Sequence, residues 1–205
     1  MQQHEMMLWL GFIAGGFLLG SCMFSQILPK LFLDRDISAL SDDGNPGCTN
    51  VFKHCGPFWG MLCLSLDLLK GFVPVFLAAR LLPTDNLLFA FVMAAPVLGH
   101  AIAPLNHFRG GKCIAASFGV LLGLLPQSPI VFLLAGIYLL FSTVLKIQPN
   151  RIRSMVTFSL FGAGALLMLG GQDQDALALG CVLVAATAVW KHSRREECRA
   201  FHAVR

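Results

Sequence analysis

Charge is what this sequence has least of. Asp, Glu, Lys and Arg make up 13% of its residues, where a soluble domain carries about 25%. Hydrophobic residues reach 56%. So little charge cannot cover the surface of a soluble domain of 205 residues, and lipid becomes the expected solvent. Cysteine pairs are missing too. Cys22, Cys48, Cys55, Cys63, Cys113, Cys181 and Cys198 include no CxxC, and an odd count without metal spacing argues against a disulfide framework. Cys48 and Cys55 share a loop, but their spacing gives little reason for a metal or redox role. No basic stripe is present: the net charge of +4 is scattered through short loops, which argues against nucleic acid as a partner. The P-loop spacing GxxxxGK[ST], the GxSxG elbow and a His followed five residues later by Asp are all absent. No Lys or Arg precedes the first apolar run, which is also too long for the core of a typical signal peptide; it reads as a helix that stays.

What the sequence does have is apolar runs. About 20 apolar residues cross the hydrocarbon core as a helix. Residues 6–28 do so without a charge, ended by Pro29 and Lys30. Residues 33–54 read as a polar loop. Runs follow at 58–82 and 87–105. From Cys113 to Leu145 nothing is charged, and Pro126 and Pro129 divide this stretch into 113–125 and 130–145. Two last runs cover 154–170 and 176–190. The expectation is an all-α, polytopic membrane helix bundle of about seven transmembrane helices, one membrane-embedded domain over residues 1–205. Lys30, Arg35, Lys53, Arg109, Lys112, Lys146, Arg151, Arg153, Lys191, Arg194, Arg195, Arg199 and Arg205 then all fall on one side. Basic loops stay in the cytoplasm, so the N-terminus is expected outside and the C-terminal tail inside.

Three clusters can carry chemistry, and all face the cytosol in this topology. The loop from Asp43 to Lys53 combines Gly44, Asn45, Gly47, Thr49 and Asn50 with the Lys53 cation. Glycines let backbone N–H groups turn toward a phosphate, and Asn and Thr add hydrogen bonds; an ordinary turn-rich loop is the plainer reading. In the second cluster His100 is followed by Arg109, Gly110, Gly111 and Lys112 ahead of an apolar helix. Paired glycines there aim backbone N–H groups at an anion, which the helix dipole favours. Arg109 and Lys112 also serve as positive flanks of the membrane spans, and His100 alone reads more simply as a packed histidine. The third cluster is Asp67 with Lys70, three apart on one helix face within a span. They are either a buried ion pair that holds helices together or one wall of a polar cavity. Ser154 and Thr157 follow Arg151 and Arg153, lining the cytosolic mouth or merely packing their helix.

At these residues the chain resembles the bacterial acyl-phosphate:glycerol-3-phosphate acyltransferases, the PlsY family. Gly20, Ser21 and Phe24, with Lys30 beyond, match the family's first motif. Gly44, Asn45, Gly47, Thr49, Asn50 and Val51 match its GSGNxGATNVxR motif, with Lys53 in place of Arg and Gly56 following. Leu66, Asp67, Lys70 and Gly71 match an LDxLKG run, with Pro74 after it. Gly99 and His100, then Gly110, Gly111 and Lys112, match the third motif. Ser154 matches a basic-SxxS segment in which Thr157 replaces Ser, and Lys191 with His192 matches a C-terminal basic-His pair. Asp42, Asp43, Cys48, Cys113, Ala116 and Arg195 depart from the pattern; Asp43 stands where the family has serine. The resemblance covers about residues 20–192 and is specific in combination.

The resemblance implies transfer of an acyl group from acyl phosphate to the sn-1 hydroxyl of glycerol 3-phosphate, giving lysophosphatidic acid and phosphate at the bacterial plasma membrane. Acyl phosphate, glycerol 3-phosphate and the lipid bilayer are the implied partners, with no cofactor and no metal. Lys112, His100 and Asn45 are the implied catalytic group. Gly44, Thr49, Asn50, Lys53, Arg109, Gly110, Gly111, Ser154 and His192 are the implied substrate and phosphate contacts. Two other readings stay open: a catalytically degenerate relative that binds lipid or regulates, motivated by the substituted positions, and a small transporter, motivated by Asp67 and Lys70.

Overall fold

The structure, a computed structural model, describes residues 3–194. The tail residues Arg195, Cys198, Arg199 and Arg205 lie outside those residues. Among the described residues every regular element is helical, as apolar segments in lipid require, because a helix satisfies its own backbone hydrogen bonds. In chain order the α-helices are α1 Gln3–Ser21, α2 Phe24–Leu33, α3 Ile37–Leu40, α4 Cys48–Cys55, α5 Pro57–Leu81, α6 Leu88–Ile102, α7 Ile114–Leu122, α8 Val131–Leu139, α9 Asn150–Leu169 and α10 Asp175–Ser193. A single wide turn, Leu140–Val144, extends α8.

Among the described residues four helices are long and apolar enough to cross a membrane, and α1 with α2 makes a fifth if the bent pair is one span. With its nine residues, α7 is about 14 Å long, well short of a hydrocarbon core of about 30 Å. The divided run is borne out: α7 ends at Leu122, α8 begins at Val131, and Pro126 and Pro129 lie between.

Two expectations are corrected. The first run does not end at Pro29; it breaks at Cys22 and Met23, bends by 45°, and continues through Pro29 to Leu33. Asp34, at φ 52°, closes it. Residues 33–54 are not all loop, since they hold α3 and α4. Asp36 caps α3 by accepting the Ala39 N–H at 3.1 Å. On α4 the apolar side buries Val51 against Ile37 and Cys63, so packing on α5 sustains a helix whose composition is polar.

The core is centred on α6, which packs against α1, α5, α7 and α10. Its approach to α1 is backbone to backbone. A Cβ at Gly20 would stand 2.2 Å from the Pro96 carbonyl oxygen, and one at Gly99 2.1 Å from that of Phe17. The same device joins α5 and α7: a Cβ at Gly119 would stand 2.0 Å from the Leu68 oxygen. Small residues at such crossings replace the hydrophobic drive that lipid cannot supply.

Candidate functional site

The segment between α3 and α4 turns around one carboxylate. Gly44 adopts φ 63°, a left-handed conformation that glycine takes without steric cost. The turn brings the Asn45 N–H to Asp43 Oδ1 at 3.2 Å, and Asn50, in the first turn of α4, donates from Nδ2 to the same oxygen at 3.0 Å. Asn50 Nδ2 also donates to the Asn45 carbonyl at 2.8 Å, which fixes the loop on the helix. From the segment between α6 and α7, Lys112 Nζ reaches Asp43 Oδ2 at 2.5 Å. Burial raises the Asp43 pKa, but the hydrogen bond and charge of Lys112, with the Asn45 and Asn50 donors, outweigh it and hold the carboxyl below its usual value. Asn45 is buried, and its Oδ1 has no hydrogen-bond partner among the described residues. Thr49 and Lys53 are exposed on α4.

The glycine pair ahead of α7 has a packing role. A Cβ at Gly110 would stand 2.1 Å from the Ala101 oxygen, and one at Gly111 2.2 Å from His100 Nε2. The Gly111 N–H, expected to face a phosphate, donates instead to the His100 carbonyl at 3.1 Å. The pair therefore seats the Lys112 segment on the end of α6. His100 is buried there, and its Nδ1 has no partner among the described residues. Arg109 turns away from this cluster. With Lys30, Gln26, Asp36 and His107 it lines a cavity of about 520 Å³ that includes none of Asp43, Asn50 and Lys112.

The ends of α9 and α10 complete the polar region. Arg151 donates from Nε to the His192 carbonyl at 2.6 Å and from a terminal nitrogen to the Ser193 carbonyl at 2.7 Å, capping the last turn of α10. That holds His192 within electrostatic reach of both Lys112 and Arg151. His192, Ser154 and Thr157 are buried. The His192 imidazole lies against the Lys112 backbone, and Thr157 Oγ1 has no hydrogen-bond partner among the described residues. Buried polar atoms without partners are rare and each costs about 1–3 kcal/mol, which makes a group of them a place where a polar ligand fits.

Asp67 and Lys70 form a buried ion pair at 2.8 Å and are tied into the broken helix. Ser25 Oγ donates to Asp67 Oδ2 at 3.0 Å, and Lys70 Nζ donates to the Cys22 carbonyl at 2.7 Å. Burial first, and then the Asp67 charge, push the Cys48 thiol up to about 11, so it is neutral near pH 7 and a poor nucleophile.

The structure brings Asn45 and Asn50 of the first expected cluster and Lys112 of the second together around Asp43. Asp43 stands where the family has serine, and an acidic residue beside a phosphate site calls for a neutralising cation; Lys112 is that cation. Sequence reasoning missed that Arg151 positions His192.

Apolar helices long enough to cross a membrane, with cations and amides clustered between them, define a class: an integral membrane protein. The model of the glycerol-3-phosphate acyltransferase family matches residues 10–198, and the chain belongs to that family. The glycerol-3-phosphate acyltransferase of Pseudomonas paraeruginosa is 38% identical over 186 residues, covering 91% of this chain and 92% of that protein. The one from Hydrogenobaculum sp. is 31% identical over 191 residues, covering 89% and 92%. The crystal structure of PlsY (YgiH), an integral membrane glycerol 3-phosphate acyltransferase, in its glycerol 3-phosphate form superposes with a TM-score of 0.76 at 26% identity, over 90% of this chain and 88% of that one. This protein is thus a membrane acyltransferase.

Proposed function

We propose that the protein transfers a fatty acyl group from acyl phosphate to the sn-1 hydroxyl of glycerol 3-phosphate in phospholipid synthesis. The observation that carries this reading is the convergence of Lys112 Nζ, Asn50 Nδ2 and the Asn45 N–H on one anionic group. Both substrates are phosphates, and these donors suit them.

Lys112 and Asn50 hold phosphate oxygens. Asn45 orients the loop and offers its unpartnered oxygen to a hydroxyl. Gly44 shapes the turn, with Thr49 and Lys53 at the exposed rim. His192 and Ser154 close the site from α10 and α9, and His100 with Gly110 and Gly111 holds Lys112 in place. Arg109 serves the neighbouring cavity, where it attracts anions. The hydroxyl oxygen attacks the acyl carbon, the bond from that carbon to the phosphate oxygen breaks, and the hydroxyl proton leaves with phosphate. Acyl phosphate is already activated, so positioning and charge stabilisation suffice, and no covalent nucleophile is required. The chain acts as one membrane-embedded unit, its N-terminus outside and its tail in the cytosol of a bacterial cell.

The test uses purified protein in lipid with acyl phosphate and labelled glycerol 3-phosphate. Labelled lysophosphatidic acid is expected, with at least a hundredfold loss in Lys112→Ala. Acyl phosphate retained without turnover would instead identify a binding protein, and solute movement in sealed vesicles that depends on Asp67 would identify a transporter.

A further inference from the structure

Asp43 occupies the centre of the donor set assigned above to phosphate. Both of its carboxylate oxygens are engaged, Oδ2 by Lys112 at 2.5 Å and Oδ1 by Asn50 at 3.0 Å and the Asn45 N–H at 3.2 Å. A carboxylate and a phosphate ask for the same thing, an ammonium and N–H donors converging on anionic oxygens. The two cannot be served at once by the same donors. A carboxylate beside Lys112 also cancels its charge, so an incoming dianion meets a neutral pair rather than a cation.

The contact is built to exchange. The side chains of Lys112 and Asp43 are 31% and 40% exposed, so both reach water and the pair is not locked inside the protein. Asp43 lies in the turn just before Gly44, which has no Cβ and so takes φ 63° without strain, with open space beside it. Rotation about the Asp43 side-chain bonds toward solvent gives up the bonds to Lys112 and Asn50, while Asn50 keeps the Asn45 carbonyl at 2.8 Å and so stays in place. A second observation points to a ligand at the same place: Asn45 Oδ1 is buried without a hydrogen-bond partner among the described residues.

We propose that Asp43 is an internal anion that competes with substrate phosphate for Lys112 and Asn50, and so sets the affinity of the site for its phosphorylated acceptor. The inference rests on the reading of this cluster as a phosphate site. In the empty protein Asp43 keeps Lys112 and Asn50 aligned. When a phosphate enters, the carboxylate leaves and the donors pass to the ligand. Phosphate binding therefore includes the loss of an ion pair, and affinity is weaker than the donor set alone would give.

The test measures inorganic phosphate binding by calorimetry, and the KM for glycerol 3-phosphate, on the full chain in lipid nanodiscs. The variants are Asp43→Ser, Asp43→Asn and Lys112→Ala, each checked for thermal stability. Asp43→Ser and Asp43→Asn are expected to bind phosphate about tenfold more tightly than wild type and to lower KM by a similar factor. Asp43→Asn keeps the size of the side chain, so an Asp43→Ser variant that fails to fold leaves the inference testable. Unchanged or weaker phosphate binding in the Asp43 variants, with binding lost in Lys112→Ala, overturns the competition and leaves the phosphate site standing. Phosphate binding that is insensitive to Lys112→Ala overturns the phosphate site, and the competition with it.

Discussion

Lys70 on α5 donates to the Cys22 carbonyl, 2.7 Å away, at the break between α1 and α2. A helix that stops inside a membrane leaves carbonyl groups with no intrahelical donor. Lys70 supplies one. Its charge is balanced by Asp67 at 2.8 Å, and Asp67 in turn accepts from Ser25 in the first turn of α2. The charged pair is therefore a staple across the bend, and the bend sets where the chain leaves α2 toward the loop that carries Asp43.

Removing one member of the staple should cost more than removing both. Asp67→Asn leaves Lys70 as an uncompensated buried charge, and Lys70→Met does the same to Asp67. Each is expected to destabilise the protein by about 3–5 kcal/mol. The double variant Asp67→Asn with Lys70→Met should recover part of that loss. Thermal unfolding in detergent checks it; additive losses would show that the two groups act independently.

The glycines of α1 divide into two kinds. A Cβ at Gly20 would stand 2.2 Å from the Pro96 carbonyl oxygen, whereas at Gly11 and Gly15 there is nothing within 4 Å. Gly20→Ala should force α1 and α6 apart and destabilise by about 1–3 kcal/mol. Gly11→Ala should be neutral or stabilise slightly, since alanine is the better helix former by about 1 kcal/mol. Melting temperatures of the two variants, measured side by side, decide this. Equal losses would show that the close crossing is not what Gly20 provides.

The Lys112–Asp43 pair has a pH signature. Asp43 is held below its ordinary value of 3.8 in the folded protein. Its contribution to stability is therefore fully present above that value and is lost as pH falls through the lower, folded value. Between pH 6 and 8 Asp43 stays ionised. Asp43→Asn should accordingly run parallel to wild type in stability across that window and lose the acid dependence of the pair below about pH 4. Unfolding curves at a series of pH values test this, and curves that diverge between pH 6 and 8 would place the titration elsewhere.

Most of the bundle was legible because lipid imposes a simple rule. Long apolar runs become helices, and α5, α6, α9 and α10 follow their runs within a few residues. The division at Pro126 and Pro129 was legible for the same reason, since those residues interrupt an uncharged stretch too long for one span. α3 and α4 were not, because their helicity comes from Ile37 and Val51 packing beside Cys63 rather than from the pattern of their own residues. Spacing placed Pro29 at the end of the first helix, yet Pro29 lies inside α2 and the break falls where Lys70 can satisfy Cys22.

The sequence by itself determined the solvent, the helical class, the positions of most apolar spans and where the candidate phosphate donors lie along the chain. Composition and spacing carry that information because lipid and phosphate each demand particular side chains. Only the tertiary structure decided which donors meet. It turned the Gly111 amide to His100, set Arg109 on a separate cavity, and brought Lys112 across 69 positions of chain to Asp43. Such contacts depend on how α4, α6 and α7 pack, and no local pattern in the chain encodes the distance between two side chains that far apart.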